Sequence, residues 1–274
     1  MMELPEALAI ARQMNDKLAG KTVQSGNCGN SPHKWAFYSR PREDYARILP
    51  GKRVGTASAS GSLVAVPLEP GFALLLGDGG LRILLHGAED ESPHRCQLIL
   101  RFEDATCLTV SVQGWGFLHL VTDAEAADRF AGHGLSPLAE QFTYERFKEM
   151  VEGYERADKD SVKYLLISAG LISGIGNGHL QDVLFRAKLH PRRKVADITG
   201  RERRALFRAI RRTISEAARL GGRDTERGLH GEPGGYRPIL DSRMKGEPCP
   251  ECGAAIEKIS YLGGSCYLCP SCQT

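Results

Sequence analysis

No run of apolar residues in the 274-residue chain approaches the ~20 that a membrane-spanning helix needs. The opening Met-Met-Glu-Leu-Pro-Glu has neither the basic nor the apolar stretch of a signal peptide, so a cytoplasmic protein is expected. There is no internal repeat and no low-complexity tract, which excludes a solenoid or a disordered spacer. Lysine is missing altogether between Lys52 and Lys148. The first 150 residues also lack an excess of positive charge, with 15 Lys/Arg against 18 Asp/Glu.

What is present is unevenly placed. Residues 186–227 hold 14 Lys/Arg against 5 Asp/Glu, although the whole chain carries only +3. Such a cluster suits a polyanion, because neutralising phosphates releases counterions, and it also suits a plain solvated helix face. Cys28, Cys96 and Cys107 are scattered and read as reduced thiols. The other five of the eight cysteines crowd into the last 26 residues, which points to a metal rather than a disulfide framework.

Hydrophobic residues at 42% and charged residues at 25% describe an ordinary globular chain, long enough for two domains with separate cores. Leu4, Leu8, Ala11, Met14 and Leu18 recur at helical spacing over 5–19, and Gly20 supplies a stop. From about 35 to 121 the chain breaks into short Val/Leu/Ile/Phe runs at 63–66, 73–76, 81–85, 97–102, 107–112 and 117–121, the texture of an antiparallel sandwich. Gly77-Asp78-Gly79-Gly80 reads as a hairpin turn between two of them. A polar connector over 123–140 precedes helical patterns at about 143–156, 160–170, 178–188 and 199–220. Residues 221–248, rich in Gly, Pro and charge, read as a loop.

Cys249-Pro-Glu-Cys252 and Cys269-Pro-Ser-Cys272 are two C-x2-C pairs sixteen residues apart. Each places two thiolates on a tight knuckle, and together they complete a tetrahedral Zn²⁺ shell. Gly253 helps the first knuckle fold back, and the segment 256–267 reads as a small hairpin. Cys266 is left over, because the spacing favours Cys269 as the ligand. A zinc ribbon alone does not choose between DNA, RNA, protein or a structural staple.

Ser173-Gly174-Ile175-Gly176-Asn177 sits between two helical patterns. It can be a simple interhelical turn, or a place where backbone N–H groups converge on a phosphate. The longer stretch from Ile172 to Pro191 resembles the helix–two-turn–helix signature of the formamidopyrimidine-DNA glycosylase/endonuclease VIII family. Lys163, fourteen residues before Asn177, stands where that family has a phosphate-binding lysine, and Glu3-Leu4-Pro5-Glu6 resembles its opening motif. Gly221-Gly222, Gly235-Tyr236 and Gly246-Glu-Pro-Cys249 are similar to its approach to the zinc finger.

The resemblance implies an α+β chain with an N-terminal helix and β-sandwich domain (1–128), a helix–two-turn–helix domain (135–225) and a four-cysteine zinc finger (245–274). It implies a monomeric glycosylase that excises damaged bases from double-stranded DNA lying between the domains, with AP-lyase activity where an N-terminal amine forms a Schiff base. Glu3, with Met2 and Glu6, would be catalytic. Lys163, Gly176, Asn177 and His179 would hold DNA, and Cys249, Cys252, Cys269 and Cys272 would hold Zn²⁺.

This sequence departs from the family at several places. Met2 stands where the family has its nucleophilic proline, and Met1 before so large a residue is not a usual substrate for initiator removal; translation from Met2 would restore the register of the amine. The strand lysine is missing, and Gly263-Gly264-Ser265 replace the finger's arginine. Trp115 or Phe117 can be an apolar wedge or a core residue, and His33 and Lys34 can face the cleft or sit on a plain surface turn. His179 can touch the sugar and phosphate or cap its helix. A non-catalytic binder of damaged DNA is the alternative reading, and an RNA-directed protein a third.

Overall fold

The computed structural model describes residues 1–90, 95–132 and 134–274. The chain divides into two compact units, one comprising Met1–Gly132 and Leu220–Gly235, the other His133–Arg219 and Tyr236–Thr274.

The first unit opens with helix α1, Leu4–Lys17. The Glu6 carboxylate accepts the N–H of Glu3 at 2.9 Å, which satisfies a donor that the helix itself leaves open. The stripe that α1 buries runs through Ala7, Ile10, Ala11 and Met14, and Leu8 is only half-buried. Two sheets follow. β1 (Val23–Asn27), β8 (Leu98–Phe102), β9 (Cys107–Val112) and β7 (Leu81–His86) form one, in the order β1-β8-β9-β7. β2 (Ala36–Phe37), β10 (Gly116–Thr122), β6 (Phe72–Gly77), β5 (Leu63–Glu69) and β3 (Arg53–Val54) form the other, with β4 (Ser58–Ser60) also paired to β5. Inward side chains such as Leu68, Leu74, Leu76, Leu100, Phe102 and Leu118 share one core with α1.

Three features of this unit depart from the sequence reading. The Gly77–Gly80 turn is not a hairpin: β6 pairs with β5 and β10, β7 pairs with β9, and the turn carries the chain from one sheet to the other. The connector begins with a helix, α3 (Asp123–Ala131), whose Thr122 and Glu125 form a capping box. A second helix, α2 (Arg42–Ile48), seats Tyr45 in the core, where its hydroxyl donates to the Leu118 carbonyl at 2.5 Å.

The second unit contains α4 (Tyr144–Glu152), α5 (Val162–Ile167), α6 (Asn177–Ala187) and α7 (Gly200–Arg219), then the hairpin of β11 (Glu257–Tyr261) and β12 (Gly264–Leu268). The segment between α7 and the hairpin has little regular structure, yet it is pinned. Asp182 on α6 is fully buried and accepts from the Tyr236 hydroxyl at 2.6 Å and from the N–H groups of Ile239 and Leu240, each at 2.9 Å. Burial raises the Asp182 pKa above the ordinary carboxylate value, against the pull of these three donors. The folded unit therefore holds the proton more tightly than the unfolded chain, and this group's contribution to stability declines as pH rises through the raised value. Asp182→Ala strands three buried donors and is expected to cost about 3–5 kcal/mol in urea unfolding. Asp182→Asn should flatten the pH dependence, and an unchanged pH profile would show that the carboxyl is not the group responsible.

Candidate functional sites

In the first unit the N-terminal segment is held from two sides. The Met2 N–H donates to the Gly79 carbonyl at 3.1 Å, and the Met2 side chain joins the core. Gly77 has no room for a side chain here, since a Cβ would lie 3.0 Å from Met2 Cε. The α-ammonium of Met1 lies 2.8 Å from Glu226 Oε1, and Met1 is 48% exposed. In this chain the terminal amine thus belongs to Met1, while the Met2 nitrogen is an amide.

Arg223 ties the segment together from the other side. Its backbone N–H and its Nε donate to Glu6 Oε1 at 2.9 and 3.1 Å, and its Nη2 donates to the Met1 carbonyl at 2.5 Å. Nη2 also lies 3.7 Å from Glu3 and 3.4 Å from Glu226. Burial opposes the guanidinium's charge, but the carboxylates of Glu3, Glu6 and Glu226 outweigh it and hold the pKa above the ordinary arginine value. Gly222 precedes it at φ +90°, and a Cβ there would meet Glu6 Cγ at 2.8 Å. Glu3 and Glu6 are thus brought together as expected, but Glu6 is spent on holding the helix start and Arg223 rather than on chemistry. Arg223→Met leaves two buried glutamates without their cation, and calorimetry should show the first unit destabilised by about 3–5 kcal/mol. A loss below ~1 kcal/mol would mean that the cluster contributes little.

In the second unit Lys163, Asn177 and Gln181 converge on the hairpin turn. Lys163 is fully buried; its Nζ donates to the Tyr261 carbonyl at 2.6 Å and approaches Cys266 Sγ at 3.4 Å. Gln181 donates to the Ser265 carbonyl at 3.0 Å and accepts the Tyr267 N–H at 3.1 Å. Gly176 caps α6, and Asn177 is its first residue. A Cβ at Gly264 would lie 2.6 Å from Asn177 Nδ2, so the glycine that replaces the finger's arginine is the residue that lets Asn177 close on the turn. The Oδ1 of Asn177 is buried with no hydrogen-bond partner among the described residues, beside a depression of about 470 Å³ lined by 260–265.

His179 requires a correction. As the third residue of α6 it lies on the helix's inner face with Leu180 and Val183, is fully buried, and packs at 5.7 Å from Tyr236. It has no surface with which to touch a sugar or a phosphate.

The four knuckle sulfurs lie within 4.8 Å of one another, with Cys252 and Cys269 at 3.4 Å and Cys249 and Cys272 at 4.0 Å. Four sulfurs each ~2.3 Å from one Zn²⁺ would stand about 3.8 Å apart, so the geometry fits a tetrahedral ion. Cys266 points away, towards Lys163. Among the basic residues, Arg201, Arg204, Arg208, Arg212 and Arg219 form an exposed stripe along α7, spaced so that they share one face.

A family model described as the formamidopyrimidine-DNA glycosylase H2TH domain matches residues 133–227. The formamidopyrimidine-DNA glycosylase of Gluconobacter oxydans is 30% identical over the full length of both chains. The chain belongs to the formamidopyrimidine-DNA glycosylase family. The Thermus thermophilus member is likewise 30% identical, over 100% of this chain and 98% of its own. The fold matches a Lactococcus lactis Fpg in complex with DNA containing an abasic site, with a TM-score of 0.87, 24% identity and 99% of each chain covered. Against this family pattern the sequence missed Arg223 and Glu226. Their partners lie more than 200 residues away in the chain, and only their place in the basic segment after Gly221-Gly222 drew attention to them.

Proposed function

We propose that this protein is a DNA glycosylase that removes damaged bases from double-stranded DNA, with AP-lyase action where its terminal amine is free. The observation that carries this reading is full-length identity with family members together with Glu3 buried beside the N-terminal segment. No helix among the described residues is long and apolar enough to cross a membrane. We take the cytoplasm as its compartment and a monomer as its working form.

Glu3 exchanges the proton. The unprotonated terminal amine attacks C1′ as the glycosidic bond breaks, and the base leaves with a proton. The resulting Schiff base permits β-elimination of the 3′ phosphate. Asn177 and the 260–265 turn take the backbone phosphates, with Lys163 fixing the turn from within. Cys249, Cys252, Cys269 and Cys272 hold Zn²⁺, which supplies structure rather than chemistry.

A specific observation favours a second reading. The Met1 ammonium is engaged by Glu226, and Arg223 stands 3.7 Å from Glu3, an arrangement that also suits a damaged-DNA binder without a free nucleophile. Borohydride trapping on abasic and lesion-bearing duplexes, followed by peptide mass analysis, separates the two. An adduct on the N-terminal peptide identifies the amine and its residue. Base release without an adduct means a monofunctional glycosylase, and tight binding with neither leaves the binder.

A further inference from the structure

Trp35, Phe37, Trp115 and Phe117 form a wall of rings on one face at the end of the β2–β10 pair. The parallel register sets Phe37 opposite Phe117 and Ala36 opposite Gly116, so Trp35 and Trp115, each one residue earlier, flank the same face as the two phenylalanines. Ring centroids lie 6.4 Å apart for Trp35–Phe37, 5.6 Å for Phe37–Phe117 and 5.8 Å for Trp115–Phe117. A core residue would be covered, yet Trp35 is 50%, Trp115 40% and Phe37 37% exposed. Together with Gly114 the rings line an open depression of about 660 Å³, within the roughly 300–1,000 Å³ of small-ligand sites.

We infer that this wall is a stacking platform for an unpaired nucleobase, and that the protein prefers DNA whose bases are unpaired next to the lesion, as in a bubble or a single strand. The inference rests on the proposed DNA-directed function and adds a substrate class to it.

Three observations favour a base over another apolar occupant. First, every side chain lining the depression is an aromatic ring, which suits a flat π-face of any sequence, whereas aliphatic groups would suit an irregular hydrophobe. Secondly, Lys34 places its ammonium 4.9 Å from the Trp35 ring, and no carboxylate lines the depression, so a phosphate attached to the base meets a cation and no repulsion. Thirdly, the platform is built into the same turns that hold the N-terminal segment. The Gly80 N–H donates to the Trp115 carbonyl at 2.8 Å, and neighbouring Gly79 accepts from Met2 at 3.1 Å. Gly79 and Gly116 leave no room for side chains, since a Cβ at either would strike Trp115's carbonyl or Leu81. The rings are therefore fixed at a short, rigid remove from the terminal amine and Glu3.

The chain's two tryptophans are both in the platform, so intrinsic fluorescence reports this site alone. The test is a fluorescence and anisotropy titration of the full chain with a 12-mer oligothymidylate, a blunt duplex of the same length, and that duplex carrying a central unpaired bubble. The single strand and the bubble should quench the tryptophans and bind about tenfold more tightly than the blunt duplex. Trp35→Ala should remove that preference, and Trp35→Phe, which keeps a ring, should restore part of it. Stacking of about one to two bases is of this size. Equal quenching by all three DNAs, or a Trp35→Ala variant with its preference intact, overturns the platform. Fluorescence that changes with protein concentration in the absence of DNA, with a dimer in sedimentation, would give the face to a second copy and overturn it equally. If borohydride trapping or base release on damaged duplex persists in those cases, only the platform has failed; if no DNA of any kind binds, the parent reading has failed with it.

Discussion

Glu3→Gln is expected to lower base excision by about 10²- to 10⁴-fold while leaving DNA affinity unchanged. The substitution removes the ability to exchange a proton at the one buried carboxylate beside the terminal segment that is not spent on holding the helix start. It keeps the shape of the side chain and an oxygen to accept hydrogen bonds. The fold should survive, because Glu3 is the most distant of Arg223's three acidic partners at 3.7 Å, while Glu6 at 3.1 Å and Glu226 at 3.4 Å remain. Single-turnover excision and equilibrium binding on one damaged duplex separate the effects. Full turnover in the variant would remove Glu3 from the chemistry. Equal loss of binding and turnover would make its role structural.

The arrangement around Glu3 also bears on the missing proline. A protonated terminal amine is no nucleophile, and an α-amine in solution titrates near ~8. A carboxylate at 2.8 Å favours the charged form of Met1, so Glu226 works against nucleophilicity until it accepts the proton or is displaced. Arg223, 3.4 Å from Glu226, can take over that carboxylate when substrate approaches the amine. The cluster of one arginine, three glutamates and one amine is therefore a set of exchangeable pairs rather than a passive staple.

How much of this could be read from the chain depends on the range of the signal. The knuckles were legible because four cysteines at fixed spacing have few other uses, and β7 to β10 because strand runs are local. The Gly77–Gly80 turn was misjudged because its glycines announce a reversal but not the partner. β6 found β5 and β10, so the same turn became a passage between sheets. α3 was missed although Thr122 and Glu125 spelled its capping box, because its small and polar residues gave no apolar stripe. His179 could have been placed correctly from periodicity, since it shares a face with buried Val183, but the nearby phosphate turn drew the reading outward. Arg223 had no local signal, because its environment is made by residues at the other end of the chain.

Removing the metal should have the largest effect on binding. Structural Zn²⁺ supplies about 10–16 kcal/mol to the folding of small fingers, and here the four thiolates anchor the residues that the helices lean on. Without them the β11–β12 hairpin loses its base. Lys163 then loses the Tyr261 carbonyl, and its buried ammonium is left poorly paired, which is costly in itself. Gln181 loses Ser265 and Tyr267, and Asn177 loses the surface of Gly264. Chelation, or Cys269→Ser, is therefore expected to abolish DNA binding and to lower the melting temperature of the second unit, with zinc restoring both in the chelated protein. Elemental analysis should find one zinc per chain, retained in Cys266→Ser because that thiol faces Lys163 and not the cluster. Undiminished DNA affinity after complete removal would show that the phosphate grip is formed by the helices alone, with the hairpin carried along rather than required.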